Sequence, residues 1–168
     1  MKRWGPVLSG IGMFFFGTVM QYAIPLSHRA AWSLIIGSRH SSGWELFKPF
    51  ALAYLCFIVI ELACLRPSLA DFVGDKAVGL LALGTVLLGV YPAVGALCGE
   101  WCCQLASLMA GAGLLTAQGV SFSLYARRVP LGAFLPVFAV FLFGMVFLVI
   151  VLTFYPPPFP YCFSPVEI

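Results

Sequence analysis

The chain has 168 residues, of which 62% are hydrophobic and 9% are charged, and its mean hydropathy is +1.04. This composition excludes an ordinary water-soluble domain and predicts an integral membrane protein. The formal net charge of +3 comes from basic residues dispersed along the chain, so we expect the lipid bilayer, and no nucleic acid, as a partner.

The hydrophobic residues fall into five runs that are each long enough to cross a bilayer, which takes roughly 20 helical residues. The runs are continuous and do not alternate, which favours helices over barrel strands. We therefore predict an all-α, polytopic bundle of five transmembrane helices in one domain, residues 1–155, with a proline-rich tail at 156–168. The predicted spans are residues 7–26, 46–65, 77–97, 102–125 and 134–155.

The first run follows Lys2 and Arg3, as the apolar part of a signal peptide would. No clear cleavage site follows it, so we predict a retained anchor helix. A four-span alternative leaves this run along the membrane interface. With five spans, six basic residues lie on one side and three on the other. This asymmetry predicts a multi-pass protein of the cell membrane with a cytoplasmic N-terminus.

Two polar side chains inside the spans form the candidate ligand site. Glu61 is the only acidic residue within a predicted span, and an intramembrane carboxylate is typical of proton or cation coupling. It precedes Arg66 by about 7.5 Å along a helix, so water, Arg66 or Lys76 are alternative partners that would make its role structural. Gln118 is the deepest amide, and it either faces a polar cavity with Glu61 or hydrogen-bonds between helices.

The cysteines divide into two groups. Cys56 and Cys64 lie in the second predicted span and are interpreted as inert core residues. The external group consists of Cys98, Cys102, Cys103 and Cys162. Free thiols, a disulfide from Cys162 to one of the others, and metal capture are the alternatives for this group. No histidine lies beside these thiols, and we predict no metal site.

Small residues recur at four-residue spacing, which lets helix backbones approach closely. The pattern predicts a packed bundle, and it equally suits a homo-oligomer or a membrane-protein partner. Pro92 and Pro136 lie inside predicted spans and are expected to kink them. The small-residue ridges are Thr85, Gly89 and Ala93 in the third span, and Ser107 with Gly111 and Gly113 with Ala117 in the fourth.

The sequence does not contain the common catalytic motifs. The chain contains no glycine-rich phosphate loop, no H-E-x-x-H and no G-x-S-x-G, and both histidines lie in the connection after the first span. We therefore expect neither an enzyme nor a cofactor. A small redox protein that uses the external cysteines is a minor alternative.

Residues 108–128, LMAGAGLLTAQGVSFSLYARR, form a glycine-rich helix that runs into an arginine pair. This segment resembles the fourth helix of the membrane half of LuxR-type regulators of gut actinobacteria. Those proteins are similar to major facilitator transporters and carry a C-terminal helix-turn-helix domain. The resemblance implies a truncated or stand-alone relative, because this chain has five predicted spans, not six, and no DNA-binding domain. No site residues carry over.

Two functions follow as hypotheses. The first is a facilitator-like sensor or transporter module, or a fragment of one, with a polar cavity at Glu61 and Gln118. The alternative is a small accessory or structural protein that packs with a larger membrane partner through its small-residue ridges.

Overall fold

A computed structural model describes residues 5–23, 33, 36–37, 42–65, 67–98 and 103–155, without the side chains of residues 5, 6, 65, 98, 103 and 104. Every regular element in these ranges is helical, which confirms the predicted all-α bundle. The helices are α1 (Gly5–Gln21), α2 (Gly43–Leu65), α3 (Leu69–Gly84), a π-helical turn (Thr85–Val90), α4 (Tyr91–Cys98), α5 (Cys103–Arg127), a 3-10 turn (Leu131–Phe134) and α6 (Leu135–Phe154).

Among the described residues, four helical segments are long and apolar enough to cross a membrane, which is compatible with an integral membrane protein. They are Gly43–Cys64, Leu69–Leu97, Leu105–Arg127 and Leu131–Phe154. The second of them joins α3, the π-helical turn and α4 into one span. The apolar part of α1, Val7–Gln21, is shorter, and residues 24–26 of the predicted first span lie outside the described residues.

The core lies between α1, α2, α3 and α5. The closest pair is α3 with α5, while α1 packs on both α2 and α5. In a bilayer such packing depends on shape and polar contacts, because lipid tails are as apolar as the side chains. Helix α6 packs outside this core on α3, and Val149 is its only buried residue. Large buried apolar side chains in this core include Met13, Leu46, Phe47, Phe50, Tyr54, Leu80, Leu83, Leu87, Tyr91 and Leu114.

Helix α3 begins at Leu69 and not at Ala77, where the predicted third span began. Asp75 and Lys76, which the hydropathy pattern placed in the connection, are therefore helical, and they are 1% and 5% exposed. Asp71 lies one turn before Asp75, and its Oδ1 accepts a hydrogen bond from the Gly132 backbone N–H at 3.0 Å. This contact ties the start of α3 to the 3-10 turn that precedes α6.

The two prolines have different settings. Pro136 lies in the first turn of α6, where a missing N–H leaves no helical bond unmade, so the predicted kink at this residue is wrong. The 3-10 turn, Leu131–Phe134, separates it from the preceding helix. Pro92 is the second residue after the π-helical turn Thr85–Val90. The third span therefore departs from regular α-helical hydrogen bonding just before this proline.

Gly79 marks the closest approach of α3 to its neighbours. A Cβ at this position would lie 2.9 Å from the Ala117 backbone oxygen of α5 and would overlap the Tyr54 hydroxyl of α2. Backbone atoms cannot rotate away as a flexible side chain can. The absence of a side chain at Gly79 is therefore what lets α2, α3 and α5 meet.

Replacing Gly79 with Ala should destabilise the fold by about 1–3 kcal/mol, the usual cost of overpacking. The matched control is Gly119→Ala in α5, where nothing lies within 4 Å of the added Cβ. Thermal unfolding of both variants in detergent micelles measures the difference. Equal melting temperatures for the two variants would show that α3 does not approach α2 and α5 as closely as described.

Candidate functional site

Four polar side chains from four helices meet inside the bundle, and we call them the polar cluster. They are Ser9 from α1, Glu61 from α2, Lys76 from α3 and Gln118 from α5. Glu61 lies in the last turns of α2, while Ser9 and Lys76 lie in the first turns of their helices. The polar cluster therefore lies toward the end of the bundle where the α2–α3 connection is located.

An ion pair forms the centre of the polar cluster. The Lys76 Nζ lies 2.5 Å from the Glu61 Oε2 and donates a hydrogen bond to the Gln118 Oε1 at 3.1 Å. The Gln118 amide nitrogen lies 3.3 Å from the Glu61 Oε1. The amide thus presents its oxygen to the ammonium and its nitrogen to the carboxylate, which satisfies both charged groups at once.

Two further groups complete the polar contacts. The Ser9 hydroxyl donates to the Glu61 Oε1, and the Gln118 Nε2 lies 3.4 Å from the Ser9 Oγ. The same amide nitrogen lies 3.0 Å from the Met13 sulfur, a second contact to α1. Through these contacts, Ser9 and Met13 of α1 are connected to Glu61 of the ion pair and to Gln118.

The polar cluster is almost entirely shielded from solvent. The side chains of Lys76 and Glu61 are 6% and 12% exposed. The Lys76 Nζ also lies 5.7 Å from the centre of the Tyr54 ring and 5.5 Å from that of Phe72, within the range of cation–π attraction. Charges in such surroundings persist only when they are paired and hydrogen-bonded, and this pair meets both conditions.

Two other polar atoms near the polar cluster are buried without a hydrogen-bond partner in the described part of the chain. They are the Tyr54 hydroxyl and the Asp75 Oδ1. Ser121 of α5 lies near the Tyr54 hydroxyl, but the two do not reach hydrogen-bonding geometry. Buried oxygens of this kind are uncommon in packed proteins and mark positions that need an explanation.

The structure brings together both residues that the sequence singled out, Glu61 and Gln118, and their functional role stays a prediction. Lys76 is the partner of Glu61, as one of the alternatives proposed, while Arg66 lies outside the described residues. Sequence reasoning did not identify Lys76 as a site residue, because Lys76 lies at the edge of an apolar run and was assigned to the connection between two spans. Ser9 gave no signal, since single serines are common in transmembrane helices.

The predicted thiol site cannot be placed. The side chains of Cys98 and Cys103, and all of Cys102 and Cys162, lie outside the described residues, so their pairing stays a prediction. Cys56 and Cys64 are free, and both are exposed on the outer surface of α2, so their interpretation as core residues is wrong.

A second ion pair lies at the opposite end of α2. Glu45 Oε1 and Lys48 Nζ are 2.8 Å apart, and the Lys48 side chain is only 2% exposed. Both residues belong to one helical turn, so this pair stabilises α2 locally. It does not join separate helices, as the polar cluster does. In the described ranges, no group of three acidic, histidine or cysteine side chains has the arrangement of a metal site.

Comparison with known proteins found no family model, no curated protein and no solved structure that matches this chain. The function is therefore inferred from the arrangement of its own side chains.

Removing one partner of the ion pair should destabilise the protein by about 3–5 kcal/mol, because the other charge is left buried and unpaired. We expect this for Lys76→Met and for Glu61→Gln with Lys76 retained. The double variant should lose less than the sum of the single losses. Thermal unfolding in micelles measures all three, with the exposed Arg127→Gln as a control expected to stay within about 0.5 kcal/mol. Additive losses would show that the two side chains do not interact.

Proposed function

We propose that the chain is a facilitator-like membrane module, either a sensor or a transporter unit, whose binding centre is the polar cluster. In this proposal it resides in the cell membrane with its N-terminus in the cytoplasm and performs no covalent chemistry. The observation that supports it is the ion pair of Lys76 and Glu61, bridged by Gln118 across three helices.

The chemistry of the polar cluster suits a small polar solute that carries a charge. An anionic group would compete with Glu61 for the Lys76 ammonium, and a cationic group would compete with Lys76 for the Glu61 carboxylate. Either competition loosens a contact between α2 and α3. Binding energy would thus be converted into a shift of helices, which transporters and membrane sensors both require.

The location of the polar cluster also supports a binding role over a purely structural role in joining helices. Charged groups within a membrane are expensive and are commonly found on solute or ion pathways. A pair that served only to join helices would be replaceable by apolar packing at little cost. The resemblance of residues 108–128 to the membrane half of LuxR-type regulators points to the same functional class.

A solute screen tests the proposal through ligand-dependent stabilisation. Small carboxylates, amines, amino acids and sugars are added to the purified chain, and a solute at 100 times its Kd should stabilise it by about 2.7 kcal/mol. Gln118→Ala removes a hydrogen bond to each charged group, so we expect the affinity for that solute to fall about 10- to 100-fold. The control is Gln21→Ala, an amide in α1 outside the polar cluster, which should bind as the unchanged chain does.

Two results would contradict a binding role for the polar cluster. One is a screen in which no charged solute shifts the melting temperature. The other is a solute that stabilises Gln118→Ala and the unchanged chain equally.

A second candidate function is that of an accessory protein for a larger membrane partner, and one observation favours it. The small-residue ridge of Thr85, Gly89 and Ala93 is exposed on the bundle surface, and nothing lies within 4 Å of a Cβ placed at Gly89. In contrast, the ridge of Gly113 and Ala117 is buried, and a Cβ at Gly113 would lie 3.1 Å from the Leu83 side chain. The first ridge thus remains available for another helix.

If this ridge binds a partner, Gly89→Leu should abolish co-purification of that partner and leave the melting temperature of the isolated chain unchanged. Gly119→Leu is the matched control, because Gly119 is also exposed and open. Affinity purification from native membranes in mild detergent measures both. Equal recovery of the partner with both variants would exclude the ridge as its docking surface.

A further inference from the structure

Asp75 is a buried carboxyl group that the polar cluster does not use. Its exposure is 1%, and its Oδ1 accepts no hydrogen bond from the part of the chain that the structure describes. It lies next to Lys76 in sequence, but successive helical residues point in directions about 100° apart. Lys76 is directed to Glu61 and Gln118 instead.

The charges around Asp75 do not balance. On α3 itself, the neighbouring charges are Lys76, which is paired with Glu61, and Asp71, which is also acidic. Helix α2 presents Glu61 and the Tyr54 hydroxyl, neither of which is positively charged. At this end of the bundle, two buried carboxyl groups, Glu61 and Asp75, therefore face one described ammonium, that of Lys76.

The other helices that pack on α3 do not supply the missing positive charge. Helix α6 and the 3-10 turn before it contain no titratable residue. On α5 and immediately after it, Tyr125, Arg127 and Arg128 are exposed, and the buried residues facing α3 are uncharged. Arg66 lies outside the described residues.

We propose that Asp75 is an intramembrane proton-binding site, with its carboxyl group protonated when the polar cluster is assembled as described. An ionised, unpaired carboxylate at this depth costs far more than a neutral one, and buried carboxyl groups escape that cost by taking up a proton. The proton comes from water and returns to water, so no other reactant is required. A bound metal cation is a poorer occupant, because no third acidic or histidine ligand joins Asp71 and Asp75 in the described ranges.

Loss of this proton would place two carboxylates beside one ammonium. Asp75 would then attract Lys76 away from Glu61, and the contact between α2 and α3 would weaken. The proton on Asp75 thus controls the strength of the ion pair. The presence of the proton on Asp75 does not depend on the proposed function. The use of that proton as the coupling ion of a transporter or sensor rests on the proposed function.

Infrared spectroscopy of the full chain in lipid vesicles tests for the proton directly and requires no solute. A protonated carboxyl group with few hydrogen bonds gives a carbonyl stretching band that ionised carboxylates lack, and the band shifts in D2O. We expect this band at neutral pH in the unchanged chain, its loss at alkaline pH, and its complete loss in Asp75→Asn. Asp71→Asn should retain it. Because Asn replaces a neutral group of the same shape, Asp75→Asn should keep the melting temperature of the unchanged chain.

Several results would overturn the assignment. They are the absence of the band in the unchanged chain and its persistence in Asp75→Asn, which would place the proton on another carboxyl group such as Glu61. Loss of the band when sodium replaces choline in the buffer would identify a metal cation as the occupant. A negative solute screen combined with a positive infrared result would refute the proposed function and leave the proton site intact.

Discussion

The ion pair between Lys76 and Glu61 is the constraint on which the rest of the bundle depends. Hydrocarbon cannot solvate a charge, so an ammonium and a carboxylate inside a membrane helix bundle are stable only when they pair with each other. Here they lie 2.5 Å apart, on two helices joined by a short connection. Their meeting sets how far α2 and α3 can slide along each other. Gln118 and Ser9 extend the same constraint to α5 and α1.

Close backbone packing makes this arrangement geometrically attainable. An amide side chain reaches only a few ångströms from its helix, so Gln118 can bridge the two charges only if α5 lies close against α3. Gly79 permits that approach, because a Cβ there would lie 2.9 Å from the Ala117 backbone oxygen. Gly79 lies about one turn after Lys76 on α3, and its neighbour Ala117 directly precedes Gln118 on α5, so packing and polar bonding reinforce each other. Helix α6, which has neither feature, stays outside the core.

Hydropathy could predict the helices better than the site. Long apolar runs gave the all-α class, and an acidic residue within such a run distinguished Glu61. The start of α3 was placed too late because Asp71, Asp75 and Lys76 lower the local hydropathy, although two of them are buried in the helix. A hydropathy scale assigns each residue a transfer free energy that takes no account of its interaction partners. The partner of Lys76 is Glu61, which lies fifteen positions earlier in the sequence. Cys56 shows the converse error, since an apolar residue in a membrane helix can face either lipid or core.

The location of the exposed ridge connects the two candidate functions. Thr85 and Gly89 belong to the π-helical turn, and Lys76 lies on the same continuous span. A π-turn is a weak point in helical bonding, often found at functional sites. Under the proposed function, a change in the ion pair would move the part of this span that holds Lys76, and the π-helical turn, which carries part of the ridge, would respond to that movement. A partner docked on the ridge would sense that response. In the proposed sensor, solute binding at the polar cluster and partner binding on the ridge would therefore act on two parts of one continuous span.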